Sequence, residues 1–247
     1  MDPAEYSLMD AAEERMWWYR ALHAQALGAL PRPGAASPLP GPLLDAGCGT
    51  GGFLARLAQA RPGLPAMGLE FMPRAAARAR AKSGLPVATG SVNAMPFADA
   101  SFGAVVSLDV LCHAAVEPER ALAEMVRVLR PGGLLVLNLP AFDWLRSAHD
   151  RRVHNARRFT ARGAGALLAR AGLDRIRPRY WNALLLPLMV VQRKVLARAP
   201  EDRSDVAHFP PWLDRSLYAV TGLERRLMAG GLPFPAGGSI LATAIRP

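Results

Sequence analysis

Cysteine is nearly absent: Cys48 and Cys112 are the two in 247 residues. Neither sits at a metal-ligand spacing, so a disulfide scaffold is excluded and no zinc site or other metal is expected. Acidic residues are scarce beside basic ones, 20 Asp plus Glu against 30 Lys plus Arg, for a formal charge of +10. That balance brings nucleic acid or an anionic membrane surface into consideration. However, Arg74, Arg78, Arg80, Arg162 and Arg170 lie among alanines in helical patterns, as solvated basic faces do, so a nucleic-acid partner is not expected. Long apolar runs are missing too. Ala183 to Val191 is the longest, it contains Pro187, and it is too short to span a bilayer. Met1 to Asp10 is acidic and has no signal-peptide core, which points to a cytoplasmic, reducing setting. There is no internal repeat.

A hydrophobic fraction of 51% is ample for a buried core. Residues 1–30 read as an N-terminal helical cap, with the helix over 4–30 and a dense Trp17-Trp18-Tyr19-Arg20 cluster. It either docks through its aromatics or lies over a ligand. Residues 31–42 carry Pro31, Pro33, Pro38, Pro40 and Pro42 and form a semi-rigid linker. From 43 to 247 one domain follows, in which strand and helix alternate. Strands are expected at 43–46, 65–70, 85–89, 103–109 and 134–139, with helices at 52–60, 73–82 and 117–130 between them. That alternation implies a parallel sheet covered on both faces. A helix opened by Thr160 and closed by Gly172, and a strand at 174–181, come next. Residues 183–235 form a helical insertion, with helices at 183–197 and 213–229, before a last strand at 239–245. The fold class is thus α/β and Rossmann-like: a doubly wound, seven-stranded, mostly parallel sheet with an antiparallel edge strand and an N-terminal helical cap.

The functional signal is concentrated in Leu43-Leu44-Asp45-Ala46-Gly47-Cys48-Gly49-Thr50-Gly51-Gly52-Phe53. A strand runs into an acid, then alternating glycines, then a helix start, whose free N–H groups favour a polar or anionic group. A dinucleotide site wants G-x-G-x-x-G. Here Asp45 precedes the first glycine. It would repel a pyrophosphate and suits a ligand bearing an ammonium or sulfonium group. Glu70 ends the next strand, placed to accept from both ribose hydroxyls. Asp45 to Gly51, Glu70, Ser91 to Asn93 and Asp109 all fall at carboxyl ends of strands, where open α/β sheets bind ligands.

With these motifs the chain resembles the class I S-adenosylmethionine (SAM)-dependent methyltransferases, and is especially similar to the small-molecule branch typified by the ubiquinone and menaquinone methyltransferases. The likeness covers about 40–180. It includes Leu-Asp-Ala-Gly-Cys-Gly-Thr-Gly, Gly-Leu-Glu, the Met95-Pro96-Phe97 turn, Ser107 to His113 and Arg127 to Gly133.

The resemblance implies SAM as cofactor and S-adenosylhomocysteine as product. It implies that Asp45, Gly47, Cys48, Gly49 and Gly51 hold the methionine part. Glu70 takes the ribose, with Phe71 and Met72 beside the adenine. The family's Gly-Asp after the third strand is Gly90-Ser91 here, so Ser91, Val92 and Asn93 are the candidates for the adenine amine. Leu108 and Asp109 flank the transferred methyl, and Tyr19 and Arg20 resemble an aromatic-plus-Arg cluster over the cofactor. Relatives that methylate amino groups on bases carry Asn/Asp-Pro-Pro-Tyr/Phe where this chain has Leu108-Asp109-Val110-Leu111, so O- or C-methylation of a small, lipophilic or anionic acceptor is favoured. Asn138-Leu139-Pro140-Ala141 looks similar but follows the fifth strand and is set aside.

A hydroxyl or carbon acceptor benefits from a base. His154, His149 and His113 are the candidates in that order, each with the alternative of a structural or surface histidine. Arg158, Tyr180 and Asn182 are candidate acceptor contacts, the alternatives being a solvated basic loop and an ordinary strand end. The apolar stretch with Arg193, Lys194 and Arg198 packs, forms a lid, or makes a peripheral membrane contact through 183–198. Two other readings stay open: a SAM-fold enzyme transferring a group other than methyl, and a basic RNA- or membrane-binding protein of the same fold.

Overall fold

The computed structural model describes residues 3–32, 34–35, 38–194 and 209–247, without the side chains at 3–5, 7, 148–149 and 193–194. The sheet has seven strands: β1 (Leu43–Ala46), β2 (Ala66–Glu70), β3 (Val87–Thr89), β4 (Phe102–Leu108), β5 (Leu129–Pro140), β6 (Asp174–Trp181) and β7 (Ser239–Ile245). Their order is β3-β2-β1-β4-β5-β7-β6. The first five run parallel. β7 is antiparallel to both β5 and β6, so it lies one strand in from the edge and β6 points the same way as β5. The carboxyl ends of six strands therefore share one rim.

The helices are α1 (Pro3–Ala12), α2 (Trp17–Ala29), α3 (Gly52–Ala60), α4 (Pro73–Ser83), α5 (Pro118–Val128), α6 (Ala148–Arg152), α7 (Ala161–Arg170), α8 (Leu186–Lys194) and α9 (Pro211–Ala229). Leu135, Val136, Leu137 and Leu139 of β5 are all buried, as expected of a strand covered on both faces. On one face Ala121, Leu122, Met125 and Val128 of α5 and Leu167 and Leu168 of α7 pack against Leu44, Val105 and Leu135. On the other, Ala26 of α2 and Phe53 and Leu57 of α3 pack against Leu43, Ala104 and Val136. The i, i+3, i+4 spacing of these apolar residues is what gives each helix one face to bury.

Two differences from the sequence reading bear on the site. The single helix over 4–30 is two helices, broken at 13–16. Glu13 turns inward there: its carboxylate accepts from the Thr50 hydroxyl at 2.6 Å and meets the Lys82 ammonium. A continuous helix would carry that side chain elsewhere. The apolar helix begins at Leu186 rather than 183, so Pro187 sits in its first turn, where its missing N–H costs nothing. Residues 195–208, including Arg198 and the end of that expected helix, lie outside the described residues. No helix among the described residues is long and apolar enough to cross a membrane.

Candidate functional site

The rim at the carboxyl ends is conformationally unusual. Asp109 follows β4, Phe142 lies two residues past β5 and Asn182 follows β6, with φ of 55°, 55° and 56°. Left-handed backbone at non-glycine residues costs on the order of 1–3 kcal/mol each and gathers at functional sites. At the end of β1, Gly47 takes φ 85°, and a Cβ there would run into the Val110 side chain. Gly49 takes φ 54°. These glycines let the chain turn from β1 into α3, with the Gly47 and Cys48 N–H groups tied to Leu69 O and the Gly49 N–H given to Glu70.

Asp45 and Glu70 stand side by side at the ends of adjacent strands. Asp45 is 2% exposed, and its Oδ2 has no hydrogen-bond partner. Burial pushes its pKa well above the usual carboxylate value, and the nearby carboxylates of Glu13 and Glu70 push it further. Glu70 is buried and accepts three bonds: Gly49 N–H at 3.0 Å on Oε2, and Met72 N–H and the Tyr6 hydroxyl, each at 2.9 Å, on Oε1. Cys48 lies against Gly68 and packs with Leu54, Ala76 and Ala79. Burial, followed by Asp45 and Glu70, raises its thiol pKa, so the thiol stays neutral. Phe71 is 68% exposed at the mouth of this cradle, a free aromatic face beside Glu70. Gly51 caps α3 at φ 90°.

The orphaned Asp45 oxygen tests what the cradle fits. A buried, unpaired carboxylate that other acids destabilise is costly by itself and is matched by a cationic group. A diol fits the neighbouring Glu70. An aminoacyl sulfonium nucleoside carries both features, and a pyrophosphate carries neither.

Other expected contacts divide. Asn93 spends its amide on Ala115 O at 3.0 Å and Glu117 N–H at 3.1 Å, bridging to the segment before α5. The Ser91 hydroxyl accepts from Asn93 N–H, and Val92 is buried in the main core. Arg20 pairs with Asp214 of α9 at 3.2 Å and lies 3.9 Å over the Tyr218 ring. Tyr19 packs on Trp18 and His23, and His23 packs on Phe53 just past the glycine loop. Among the described residues of the N-terminal segment, Tyr6 and Met9 of α1 and Glu13 just past it meet the cradle directly.

Past β4 and β5 a hydrogen-bonded relay runs along the rim. The Trp181 Nε1–H donates to Asn138 Oδ1 at 2.8 Å, and Asn138 Nδ2–H donates to Asp109 Oδ1 at 2.9 Å. Burial raises the Asp109 pKa to about 6, against the opposing Asn138 hydrogen bond and the Arg158 charge. Leu108 packs with Trp181, Leu22 and Met228 beside it. Asn182 is fully buried, and both of its side-chain amide atoms lack partners. Its backbone N–H and those of Ala183 and Leu184 donate to the buried Glu224 carboxylate at 2.5, 2.8 and 3.0 Å.

Among the described residues, neither His113 nor His154 bonds to this relay's side chains, and their surroundings differ. His154 is exposed, at φ 56°. His113 holds its Nδ1 3.0 Å from Val153 O, and burial lowers its pKa. His149 lies on α6 with its side chain outside the described residues. Arg158 is 5% exposed and clasps both Asp150 oxygens at 2.9 Å while donating to Ala141 O. Tyr180 accepts from Ala161 N–H at 3.0 Å and stacks on Phe142. Arg158 also borders an open groove of about 560 Å³ between α5 and α7, which shares no residue with the cradle. Among the described residues, no group of three or more His, Cys, Asp or Glu side chains converges as a metal site.

Sequence reading missed Tyr6, Met9 and the Asn138–Trp181 link. Asn138 alone gave a signal, as a polar residue closing an apolar strand.

Residues 44–137 match the family described as a methyltransferase domain. The chain is 34% identical over 153 residues to a demethylmenaquinone methyltransferase of Renibacterium salmoninarum, covering 60% of this chain and 59% of that one. It is 38% identical over 110 residues to 24-methylenesterol C-methyltransferase 2 of Oryza sativa, covering 42% and 29%. The chain thus spans less than two thirds of the length of these curated relatives. Among solved structures, a SAM-dependent methyltransferase of Thermotoga maritima, a possible histamine N-methyltransferase, superposes with TM-score 0.64 at 20% identity, covering 99% and 95%. Geranyl diphosphate C-methyltransferase of Streptomyces coelicolor, solved with Mg2+, geranyl diphosphate and S-adenosylhomocysteine, gives 0.60 at 15% identity, covering 92% and 79%. At those identities the structures share the fold.

Proposed function

We propose that this class I SAM-dependent methyltransferase domain binds SAM in the Asp45–Glu70 cradle and methylates a small-molecule acceptor beside Asp109. The observation that carries the reading is the unpaired, buried Asp45 carboxylate next to Glu70. When bound, the cofactor supplies an activated methyl on a sulfonium centre. The chain supplies alignment and a dry site. Asp45 Oδ2 holds the cationic aminoacyl end, Glu70 accepts from the ribose, and the exposed Phe71 ring covers the base. Asp109 Oδ1, held by Asn138, faces the acceptor with a pKa of about 6. It is ionised at neutral pH and takes the proton that an acceptor hydroxyl or acidic carbon gives up.

Helix α2, the turn before α8, and α9 supply the roof of the acceptor site. Support comes from Trp17 of α2, Leu185 and Leu217 of α9, which form one apolar cluster near Trp181 and Leu22. The roof favours a lipophilic acceptor, and Asn182 gives it one buried polar contact. Expected partners are small molecules.

Isothermal titration with S-adenosylhomocysteine tests the cofactor part. Wild type is expected to bind and Glu70→Ala to bind at least tenfold more weakly. No binding by wild type at millimolar ligand would remove the proposal. For the reaction, the product must gain about 14 Da, the net of a CH3 taking the place of an H; any other increment means a different transferred group.

A further inference from the structure

The helix α1 lies on the cradle and uses its ligand-binding atoms. The Tyr6 hydroxyl donates to Glu70 Oε1 at 2.9 Å, beside the Met72 N–H on the same oxygen. A carboxylate offers about four acceptor positions. Met72, Gly49 and Tyr6 take three of them. A ribose diol donates two hydrogen bonds, so it fits Glu70 only after one of the three has gone. Met72 and Gly49 are backbone donors fixed by the turns after β2 and β1. Tyr6 is the one that can leave.

Met9 tells the same story at the glycine loop. Its Cε lies 2.8 Å from where a Gly49 Cβ would stand, so a methyl thioether covers that part of the loop. The helix is fastened by charge. Asp10 accepts from Arg78 Nε at 2.9 Å and pairs with Lys82 at 2.5 Å, both on α4. Glu13 bonds Thr50 and meets Lys82. Glu13 touches the glycine loop at Thr50, whereas the Asp10 pairs with Arg78 and Lys82 lie on α4 and hold α1 in place without using the acceptor positions of Glu70.

We propose that α1 is a self-competing strap: Tyr6 occupies the diol-binding carboxylate of Glu70, Met9 covers Gly49, and the cofactor's ribose engages Glu70 only when Tyr6 releases it. The inference rests on the nucleoside reading of the cradle. It makes cofactor affinity a difference between ligand contacts and strap contacts. Whatever draws α1 away, by loosening the Asp10 clasp, raises occupancy.

The test is a titration of S-adenosylhomocysteine into wild type and Tyr6→Phe, with thermal melting to verify that both are folded. Tyr6→Phe removes one hydroxyl and keeps the ring. A hydrogen bond of this kind contributes about 0.5–1.5 kcal/mol, so the variant is expected to bind about two- to tenfold more tightly. Equal or weaker binding by Tyr6→Phe overturns the strap and makes Tyr6 a bystander or a nucleoside contact, while the cradle itself stands. Failure of both proteins to bind overturns the nucleoside reading and the strap with it. Asp10→Asn gives a second readout: loosening the clasp is expected to speed association in stopped-flow binding, and an unchanged association rate counts against α1 as the barrier.

Discussion

Asp45→Asn separates stability from binding. The wild-type carboxylate is 2% exposed, has an oxygen with no partner and is raised in pKa by burial, Glu13 and Glu70. An unsatisfied buried polar atom costs about 1–3 kcal/mol. The amide has the same shape and no charge, so it keeps a buried polar group but removes the repulsion from both neighbouring acids, a gain of about 1–2 kcal/mol. For a domain of this size, each kcal/mol moves Tm by about 2–4 °C. The ligand-free variant is therefore expected to melt about 2–8 °C higher. The gain should grow with pH. A carboxyl whose folded pKa is raised contributes its stability below the unfolded value of 3.8 and loses it as pH rises through the folded value. Binding should move the other way. Losing a charge-assisted hydrogen bond of about 1.5–3 kcal/mol weakens S-adenosylhomocysteine binding by about 10- to 150-fold. Differential scanning fluorimetry and calorimetric titration on one preparation read both effects. A variant that melts lower without ligand, or that binds as wild type does, would refute the reasoning.

Three further outcomes follow from named contacts. The pH profile of kcat/KM should rise through about pH 6 as Asp109 ionises, and Asp109→Asn should abolish the rise and cost about 10²- to 10⁴-fold in rate, measured by transfer of a tritiated methyl group; a wild-type profile in the variant assigns the proton to another group. His23 is buried, and burial, with Arg56 and Lys82, lowers its pKa from 6.5 to about 4. The unfolded chain therefore binds more protons between those values. Stability attributable to His23 should fall by roughly 3 kcal/mol as pH drops from 6.5 to 4, and urea unfolding of His23→Leu should lack that part of the slope. Glu224→Ala strips three backbone N–H groups of their acceptor and should cost about 3 kcal/mol, a Tm loss of about 6–12 °C; an unchanged melting curve would mean that water serves those groups equally well.

The parts legible in the sequence were those written in local pattern. The glycines and the acid at 45–51 dictate a strand-turn-helix by their own backbone preferences. The apolar run Leu134 to Leu137, with Leu139 beyond Asn138, reads as a central strand, and the alternation of elements indicates which ends share a rim. Glu70 was legible because it ends the strand beside β1. What stayed hidden depends on which distant side chains meet. Nothing in the order Tyr6-Ser7-Leu8-Met9 says that it lies on Glu70, 64 residues away. Asn138 was set aside for the strand it closes. Its importance comes from its register with Leu108 and from Trp181 reaching it across β7. Arg158 looked like a free cation for an acceptor because sequence does not show that Asp150 folds back onto it. The break at 13–16 was missed because the apolar periodicity runs through it, and an inward Glu13 outweighs helix continuity only once Lys82 and Thr50 are in place.

A crystal structure of the chain grown with S-adenosylhomocysteine tests the central claim most directly. It is expected to show the ribose diol on Glu70, the amino group within hydrogen-bond reach of Asp45 Oδ2, and Tyr6 off the Glu70 carboxylate. A nucleoside bound elsewhere, or no nucleoside in the Asp45–Glu70 cradle at saturating ligand, would contradict it.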